Sequence, residues 1–220
     1  INKWPHIKWM LTVMNHGTAS IFTALRNNTD GAKDTFLTEL VRIMEKYPWC
    51  AGVDIDLERG GEYENRTAAN ALFRDIYNTV KAYDSTKLVN LCLPGMTSVN
   101  GSVGGENWCV YADLDAYCDS VSIMSYGMAW AGSAPGPVSP RDWLEGIYDY
   151  ASSVMDPQKI FMGLPGYGWN WQIYDTPENL GKTYRGTSNT YYAAKLWMTG
   201  GYNFTDDAPP QPMIPILAYW

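Results

Sequence analysis

The stretch WCAGVDIDLERGG, Trp49 to Gly61, carries three acidic residues at alternate positions of an otherwise apolar run. Successive side chains of a β-strand point to opposite faces, so Asp54, Asp56 and Glu58 are expected on one face, roughly 6.5 to 7 Å apart. The apolar residues between them then face the other way, towards covering helices. The pattern predicts a buried strand that presents a row of carboxyl groups.

Ionising all three carboxyl groups at this spacing is unfavourable because their negative charges repel. At least one carboxyl group should therefore keep its proton at neutral pH. A protonated carboxylic acid at the mouth of a cleft is what a general acid requires. Glu58 is the last of the three and the nearest to the strand end, and it is the predicted general acid.

A metal site is the alternative interpretation of the same carboxylates, because their hard oxygens suit Mg²⁺, Mn²⁺ or Ca²⁺. The chain has only two histidines, and no second acidic cluster follows another predicted strand. Acid–base chemistry is therefore favoured, and neither a metal nor another cofactor is expected.

The composition is that of a folded domain. The chain has 220 residues, of which 46% are hydrophobic and 18% charged, which fits one domain with a substantial core. A net charge of −7 argues against nucleic acid or an anionic membrane as the partner. No run is long enough to span a membrane, and no signal peptide is visible. Ten tryptophans and sixteen tyrosines either fill the core or offer flat surfaces for sugar rings, and both interpretations stay open.

The four cysteines lack the paired spacing of a zinc site. Cys50 and Cys92 lie in strand-like runs and are expected to be small buried apolar residues. Cys109 and Cys118 lie close enough in sequence for a disulfide within one loop, and the sequence leaves this pairing open.

Short apolar runs alternate with longer amphipathic ones. Helices are predicted at about 34–46, 67–83 and 141–155 from apolar residues at helical spacing. Strands are predicted at Ile7–Met14, Ala51–Leu57, Leu88–Leu93, Asp119–Tyr126, Lys159–Leu164 and Ile214–Tyr219. Nearly continuous apolar strands separated by helices indicate a parallel sheet covered by helices.

Polar and aromatic residues collect after the predicted strands, where the active sites of (β/α)8 barrels gather. Asn15 follows the first strand, Tyr126 ends the fourth, and the Gly-rich loop 167–171 follows the fifth. The predicted fold is therefore α/β, a (β/α)8 TIM barrel, rather than an open doubly wound sheet.

The motifs resemble those of glycoside hydrolase family 18, the chitinase-like barrels. The family's strand-4 signature D-G-x-D-x-D-x-E aligns with 51–58, and its strand-6 signature M-x-Y-D aligns with 124–127. The family's last strand ends in a Trp, as Tyr219-Trp220 does here. The segment from Trp130 to Trp143 and the run KIFMGLPGYGWNW look most like the bacterial peptidoglycan and spore-cortex branch. On this resemblance the chain corresponds to strands 3 to 8 of the barrel, with the first two strands upstream of Ile1.

The resemblance implies substrate-assisted, retaining hydrolysis, an exception to the two-carboxylate scheme. Glu58 would protonate the leaving oxygen and then serve as base, Asp56 would orient the substrate's acetamide, and Asp54 would exchange a proton with Asp56. Tyr126 would hydrogen-bond the acetamide oxygen, and the oxazolinium would be the intermediate. The implied substrate-binding residues are Trp220, Met124, Tyr167, Trp130 and Asn15.

Three positions depart from the family pattern. Ala51 replaces the first Asp of the strand-4 signature, a supporting position. Gly127 replaces the Asp after Tyr126, which puts the rate and sugar preference in doubt and is similar to endo-N-acetylglucosaminidases that cut N-glycans. The triplet that begins at Asn15 stands where chitinases have Ser-x-Gly-Gly, so chitin is less favoured.

The sequence therefore predicts one catalytic domain over 1–220 that cleaves β-linked N-acetylglucosamine polymers, with peptidoglycan favoured. An endo-β-N-acetylglucosaminidase acting on N-glycans, a chitinase, and a non-catalytic carbohydrate-binding lectin are the alternatives. The expected partner is a polysaccharide, outside the cell or at the cell wall, and the domain could belong to a larger multidomain or phage-tail protein.

Overall fold

A computed structural model describes residues 6–59, 65–101, 107–171, 186–190 and 216–218. The chain divides into two compact units. The first comprises Ile1–Met124 and Gly146–Met162, and the second comprises Ser125–Glu145 and Gly163–Trp220.

A five-stranded parallel sheet forms the centre of the first unit. Its strands lie in the order in which they occur along the chain, and each pairs in parallel with the next: β1 (Met10–Met14), β2 (Gly52–Asp56), β3 (Leu88–Pro94), β4 (Ser120–Met124) and β5 (Ile160–Met162). The first five predicted strands are thereby confirmed. Four of them are shorter than predicted, whereas β3 extends one residue further, to Pro94. This order of parallel neighbours joined by helices is that of a segment of a (β/α)8 barrel.

Five α-helices connect these strands: α1 (Ala19–Asn27), α2 (Ala32–Lys46), α3 (Arg66–Tyr83), the single turn α4 (Tyr111–Leu114) and α5 (Arg141–Val154). The predicted helices correspond to α2, α3 and α5. Short α1 was not predicted, because nine residues give too few turns for the apolar spacing to stand out. No helix in the described part of the chain is both long and apolar enough to cross a membrane.

The core is formed by apolar side chains at alternate positions of the strands and at helical spacing on α3. The apolar side chains of β2 to β4 that point away from the acids are fully buried, among them Val53, Ile55, Leu91, Val121 and Ile123. On α3 the buried apolar positions recur every three to four residues: Ala69, Leu72, Phe73, Ile76 and Val80. The Phe73 ring lies 6.1 Å from that of Phe22 on α1 and 5.4 Å from that of Trp108, which closes an aromatic cluster beside the sheet.

Gly52 allows β2 and β3 to pair at the start of the carboxylate strand. A Cβ atom placed on Gly52 would lie 1.9 Å from the backbone oxygen of Leu88, a contact that no side-chain rotation relieves. We expect Gly52→Ala to lower the free energy of unfolding by about 3 kcal/mol, the upper end of ordinary overpacking costs. Denaturant unfolding measures this change. Gly146→Ala on α5 is the matched control, because its Cβ meets only a side-chain methyl at 3.5 Å, and an unchanged stability for Gly52→Ala would contradict the account.

The second unit contains an antiparallel sheet that corrects two predictions. Tyr167–Trp171, predicted as a Gly-rich loop, forms β6, with β7 (Gly186–Thr190) on one side and β8 (Ile216–Ala218) on the other. Aromatic residues at alternate positions favour a strand and outweigh Gly168, the one glycine of this segment. The predicted sixth strand exists at its centre as β8, but it pairs antiparallel with β6, because an apolar run does not specify its partner strand.

All four cysteines are free thiols. Cys109 and Cys118 do not form the disulfide that the sequence left open. The sulfur of Cys109 instead lies 3.8 Å from that of Met96, and the Cys118 thiol donates to the carbonyl oxygen of Asp115 at 3.8 Å. Cys50 is buried as predicted, whereas Cys92 is partly exposed on the face of the sheet that carries the acids.

Candidate active site

The three acids occupy the face of β2 that the alternation predicts. Val53, Ile55 and Leu57 are at most 2% exposed, whereas Asp54 and Asp56 are half-buried on the opposite face. Glu58 is also half-buried and lies two residues beyond the end of β2. The row of acidic side chains therefore ends at the C-terminal edge of the parallel sheet, where barrel enzymes place their reactive groups.

Asp54 is held by donors from both neighbouring strands. Its Oδ2 accepts from Thr12 Oγ1 on β1 at 2.9 Å, and its Oδ1 accepts from Asn90 Nδ2 on β3 at 2.7 Å. The thiol of Cys92 donates to the same Oδ1 at 3.4 Å. Burial is the main cause that raises the pKa of Cys92, and the nearby carboxylates raise it further, so this thiol keeps its proton and remains a donor. Three donors to one carboxyl group stabilise a negative charge there.

Thr12, Asn90 and Cys92 were not among the residues predicted for the site. The signal was available, because each is a polar residue or a thiol within an apolar strand. The parallel register places Thr12 and Asn90 level with Asp54 on either side. A prediction that had aligned the strands in register would have found them.

Asp56 differs from Asp54 in having an oxygen without a partner. Its Oδ1 is buried and accepts no hydrogen bond from the described residues. The pKa of Asp56 is raised, first by burial and then by the charge of Asp54. Burial and the neighbouring charge therefore disfavour ionisation of Asp56.

The pKa of Glu58 is raised, as that of Asp56 is. Burial raises its pKa, the charge of Asp56 raises it further, and the positive charge of Arg59 partly opposes both effects. A raised pKa keeps more of the carboxyl group protonated near neutral pH, as the sequence analysis predicted for this residue.

These directions predict how stability depends on pH. Because the folded-state pKa of Asp56 lies above its ordinary value of 3.8, the folded protein loses stability as pH rises through that pKa. Asp56→Asn cannot ionise, so we expect its melting temperature to exceed that of the wild type at about pH 7 and to match it at about pH 3. Thermal unfolding at both pH values measures this, with Asp149→Asn on the exposed face of α5 as control. A variant that is less stable at neutral pH would contradict the assigned direction.

Asn15 lies beyond the end of β1 and is 3% exposed. Its side-chain amide contacts the backbone of Glu58 at both the N–H and the carbonyl oxygen. The structure thus brings Asn15 and the three acids together in the first unit. Met124, the last residue of β4, is half-buried in the same unit.

The other predicted residues belong to the second unit. The rings of Tyr126 and Tyr167 meet edge to face with centroids 6.3 Å apart, and Tyr167 meets Trp169 in the same way. Burial raises the pKa of Tyr167. Trp130 is 56% exposed, and its carbonyl oxygen accepts from Trp171 Nε1 at 3.3 Å. These half-buried and exposed rings leave both aromatic interpretations open.

Two further positions complete the predicted set. Gly127 follows Tyr126 with φ of 89°, a left-handed conformation, and a Cβ there would have no neighbour within 4 Å. An Asp at this position would be strained, so the glycine suits the local backbone. Trp220 lies outside the described residues.

No group of three or more His, Cys, Asp or Glu side chains within the described ranges is arranged to hold a metal ion. Asp54 illustrates the reason, because both of its oxygens already accept hydrogen bonds from protein donors.

Comparisons with known proteins agree with the fold and the motifs. The chain is 28% identical over 178 residues to the cortical fragment-lytic enzyme of Bacillus anthracis, covering 80% of this chain and 40% of that protein. The spore cortex-lytic enzyme SleL of Bacillus cereus matches at a TM-score of 0.72 and 25% identity, covering 88% of this chain and 43% of that one. A chitinase of Chromobacterium violaceum matches at a TM-score of 0.75 and 21% identity, covering 88% and 58%.

These likenesses confirm the (β/α)8 fold class, and the cortex-lytic relatives agree with the predicted branch. The chain spans about two fifths of the length of the first curated relatives it matches. The family model for glycosyl hydrolases family 18 matches residues 1–206. The chain therefore belongs to the family 18 glycosyl hydrolases.

Proposed function

We propose that this chain is a retaining glycosidase that cleaves β-linked N-acetylglucosamine polymers, with peptidoglycan as the favoured substrate. The observation that carries the proposal is the contrast along β2. Asp54 has three donors, Asp56 has a buried oxygen that accepts no hydrogen bond from the described residues, and both Asp56 and Glu58 have raised pKa values. An acid that can protonate the leaving oxygen, with a second carboxyl group beside it to hold the acetamide, is what substrate-assisted hydrolysis needs.

In the first step, Glu58 donates its proton to the glycosidic oxygen as the bond from that oxygen to C1 breaks. The carbonyl oxygen of the substrate's own N-acetyl group attacks C1 and closes an oxazolinium ring. Positive charge then develops on the acetamide nitrogen, and its N–H has an acceptor in the carboxyl group of Asp56, which is half-buried. Asp54, held in place by Thr12 and Asn90, is proposed to exchange a proton with Asp56, which leaves Asp56 ionised as the positive charge develops.

In the second step, Glu58 is a carboxylate and removes a proton from water. The water oxygen attacks C1 from the face that the leaving group vacated, and the oxazolinium ring opens to restore the acetamide. Two inversions at C1 give net retention of the β configuration. Glu58 ends the cycle protonated, as it began.

Residues beyond this trio receive roles from the family resemblance. Tyr126 is proposed to donate to the acetamide oxygen, and Trp220 to form the apolar floor of the sugar site. Met124, Tyr167 and Trp130 are proposed to line the sugar sites. Residues 1–220 are proposed to act as one catalytic domain.

The family and the named relatives support the proposed substrate class. Two of these are called cortical fragment-lytic and spore cortex-lytic enzymes, which favours peptidoglycan over chitin. A cell-wall or extracellular site of action accompanies that choice of substrate.

Mass spectrometry of the products identifies the polymer. The full chain is incubated in parallel with spore-cortex peptidoglycan, chitin oligomers and a high-mannose N-glycan. We expect fragments with N-acetylglucosamine at the new reducing end, chiefly from peptidoglycan. Preferred cleavage of the N-glycan core would favour the second candidate, an endo-β-N-acetylglucosaminidase, for which the Tyr126-Gly127 pair is the specific observation. Binding of glycan without any product would indicate a lectin and overturn the proposal.

A further inference from the structure

The parallel pairing of β1 with β2 ends two residues before Glu58, the proposed acid. The last paired residues are Met14 and Asp56, so a continued ladder would place residue 16 beside Glu58. The β1 chain turns away instead, because His16 and Gly17 both adopt left-handed conformations, with φ of 49° and 65°. Backbone groups of β1 beyond Met14 therefore do not continue the ladder to Glu58.

The side chain of Asn15 supplies the bonds that the ladder would have made. Its Nδ2 donates to the Glu58 carbonyl oxygen at 2.9 Å, and its Oδ1 accepts from the Glu58 N–H at 3.0 Å. The same Nδ2 donates to the carbonyl oxygen of Thr18 at 3.1 Å, which ties the turn after β1 into the arrangement. A carboxamide presents a donor and an acceptor side by side, as a peptide group does, and can therefore bind both backbone groups of one residue.

We propose that Asn15 is a positioning residue that fixes the backbone of Glu58 and so aims its carboxyl group at the scissile bond. This inference rests on the proposed function. It gives Asn15 a role different from the sugar contact that the family resemblance implied, because both ends of its amide are engaged with backbone groups. Misplacement of a catalytic group by about 1 Å costs about a hundredfold in rate, so such a brace has a measurable consequence.

A second contact strengthens the connection between the two segments. Arg59 directly follows Glu58 with a φ of 59°, a conformation that non-glycine residues adopt only where the surroundings hold them. A Cβ on Gly17 would lie 3.2 Å from Arg59 Nε, so the arginine side chain lies against the glycine. His16 and Arg59, the residues that directly follow Asn15 and Glu58, therefore both have the positive φ of a turn.

Asn15→Asp tests the inference because its side chain reproduces the amide only when it is protonated. The carboxylic acid donates its O–H to the Glu58 carbonyl oxygen and accepts from the Glu58 N–H. The carboxylate has no donor and repels the carbonyl oxygens of Glu58 and Thr18. We expect the variant to approach wild-type kcat at low pH and to lose about a hundredfold as pH rises, with KM little changed.

The ionisable residues within two positions of this contact along the described chain are Asp56, Glu58 and Arg59 on the β2 segment and His16 on the β1 segment. All four residues are unchanged in the variant. An additional pH-dependent change in kcat is therefore caused by ionisation of the residue at position 15. Asn78→Asp, the same charge change on the exposed face of α3, is the matched control and should keep the wild-type profile. Asn15→Ala should lose activity at every pH.

Amide hydrogen exchange at Glu58 separates this inference from the proposed function, because it requires no turnover. We expect the Glu58 N–H to be protected in wild type and in Asn15→Asp at low pH, and unprotected in Asn15→Ala. If wild type cleaves no glycan but the exchange pattern holds, the proposed function fails and the contact stands. Unchanged Glu58 protection in Asn15→Ala, or a loss of kcat in Asn15→Asp that does not vary with pH, would overturn the inference.

Discussion

Replacing Glu58 by glutamine is expected to lower kcat by about 10³-fold, within the range that a positioned general acid contributes. Glutamine keeps the shape and the hydrogen-bonding reach of the side chain, but it cannot donate a proton to the leaving oxygen or accept one from water. The raised pKa of Glu58 is consistent with this double role. Initial rates on a soluble glycan fragment measure the loss.

Two comparisons make this test specific to proton transfer. Glu45→Gln, the same substitution at an exposed position of α2, should leave the rate unchanged. On an aryl glycoside whose leaving group needs no proton, Glu58→Gln should lose much less activity in the first step than on the natural glycan. Equal losses on both substrates would show that Glu58 acts by some means other than donating a proton.

Replacing Asp56 by asparagine is expected to lower kcat by about 10²-fold or more, with a smaller effect on KM. Charge on the acetamide nitrogen develops only as the oxazolinium forms, so the carboxylate acts mainly on the transition state. A neutral amide accepts the N–H but provides no countercharge. The half-buried carboxyl group of Asp56 lies next to Glu58 in the row of acids, which is the position from which this effect is expected.

Measuring the stability of Asp56→Asn distinguishes a catalytic role of Asp56 from a structural one. The same Asp56→Asn variant should be more stable at neutral pH, because a carboxyl group with a raised pKa destabilises the folded state once it ionises. Reduced kcat together with increased stability indicates that strain at the site serves catalysis. Loss of activity together with loss of stability would instead assign Asp56 a structural role.

Much of the fold could be predicted because its signals are local. Alternation of acids with Val53, Ile55 and Leu57 specified the two faces of β2, and helical spacing specified α3. The pairing of β8 could not be predicted, because the partner of an apolar strand depends on contacts distant in sequence. The strand character of Tyr167–Trp171 was hidden by Gly168 and by the proline and glycine just before the segment.

The site was predicted in its acids and incompletely in their supports. Asp54, Asp56 and Glu58 were found because acids on a buried strand are conspicuous. Their supports lie on neighbouring strands and appear only once the register is known, as Thr12 and Asn90 show. Asn15 was found by its position after β1, but its contacts with the backbone of Glu58 depend on the turn at His16, which no sequence pattern indicated.

The central claim is that the substrate's own acetamide is the nucleophile, and a fluorinated substrate series tests it most directly. The series consists of aryl glycosides of an N-acetylglucosamine disaccharide that differ only in carrying acetyl, monofluoroacetyl or trifluoroacetyl on the reacting sugar. Each fluorine withdraws electrons from the carbonyl oxygen that attacks C1. If the acetamide oxygen is the nucleophile, kcat/KM falls steeply along the series, in the full chain and in the Glu45→Gln control alike. Rates that stay equal across the three substrates would show that the acetamide is not the nucleophile and would contradict the account.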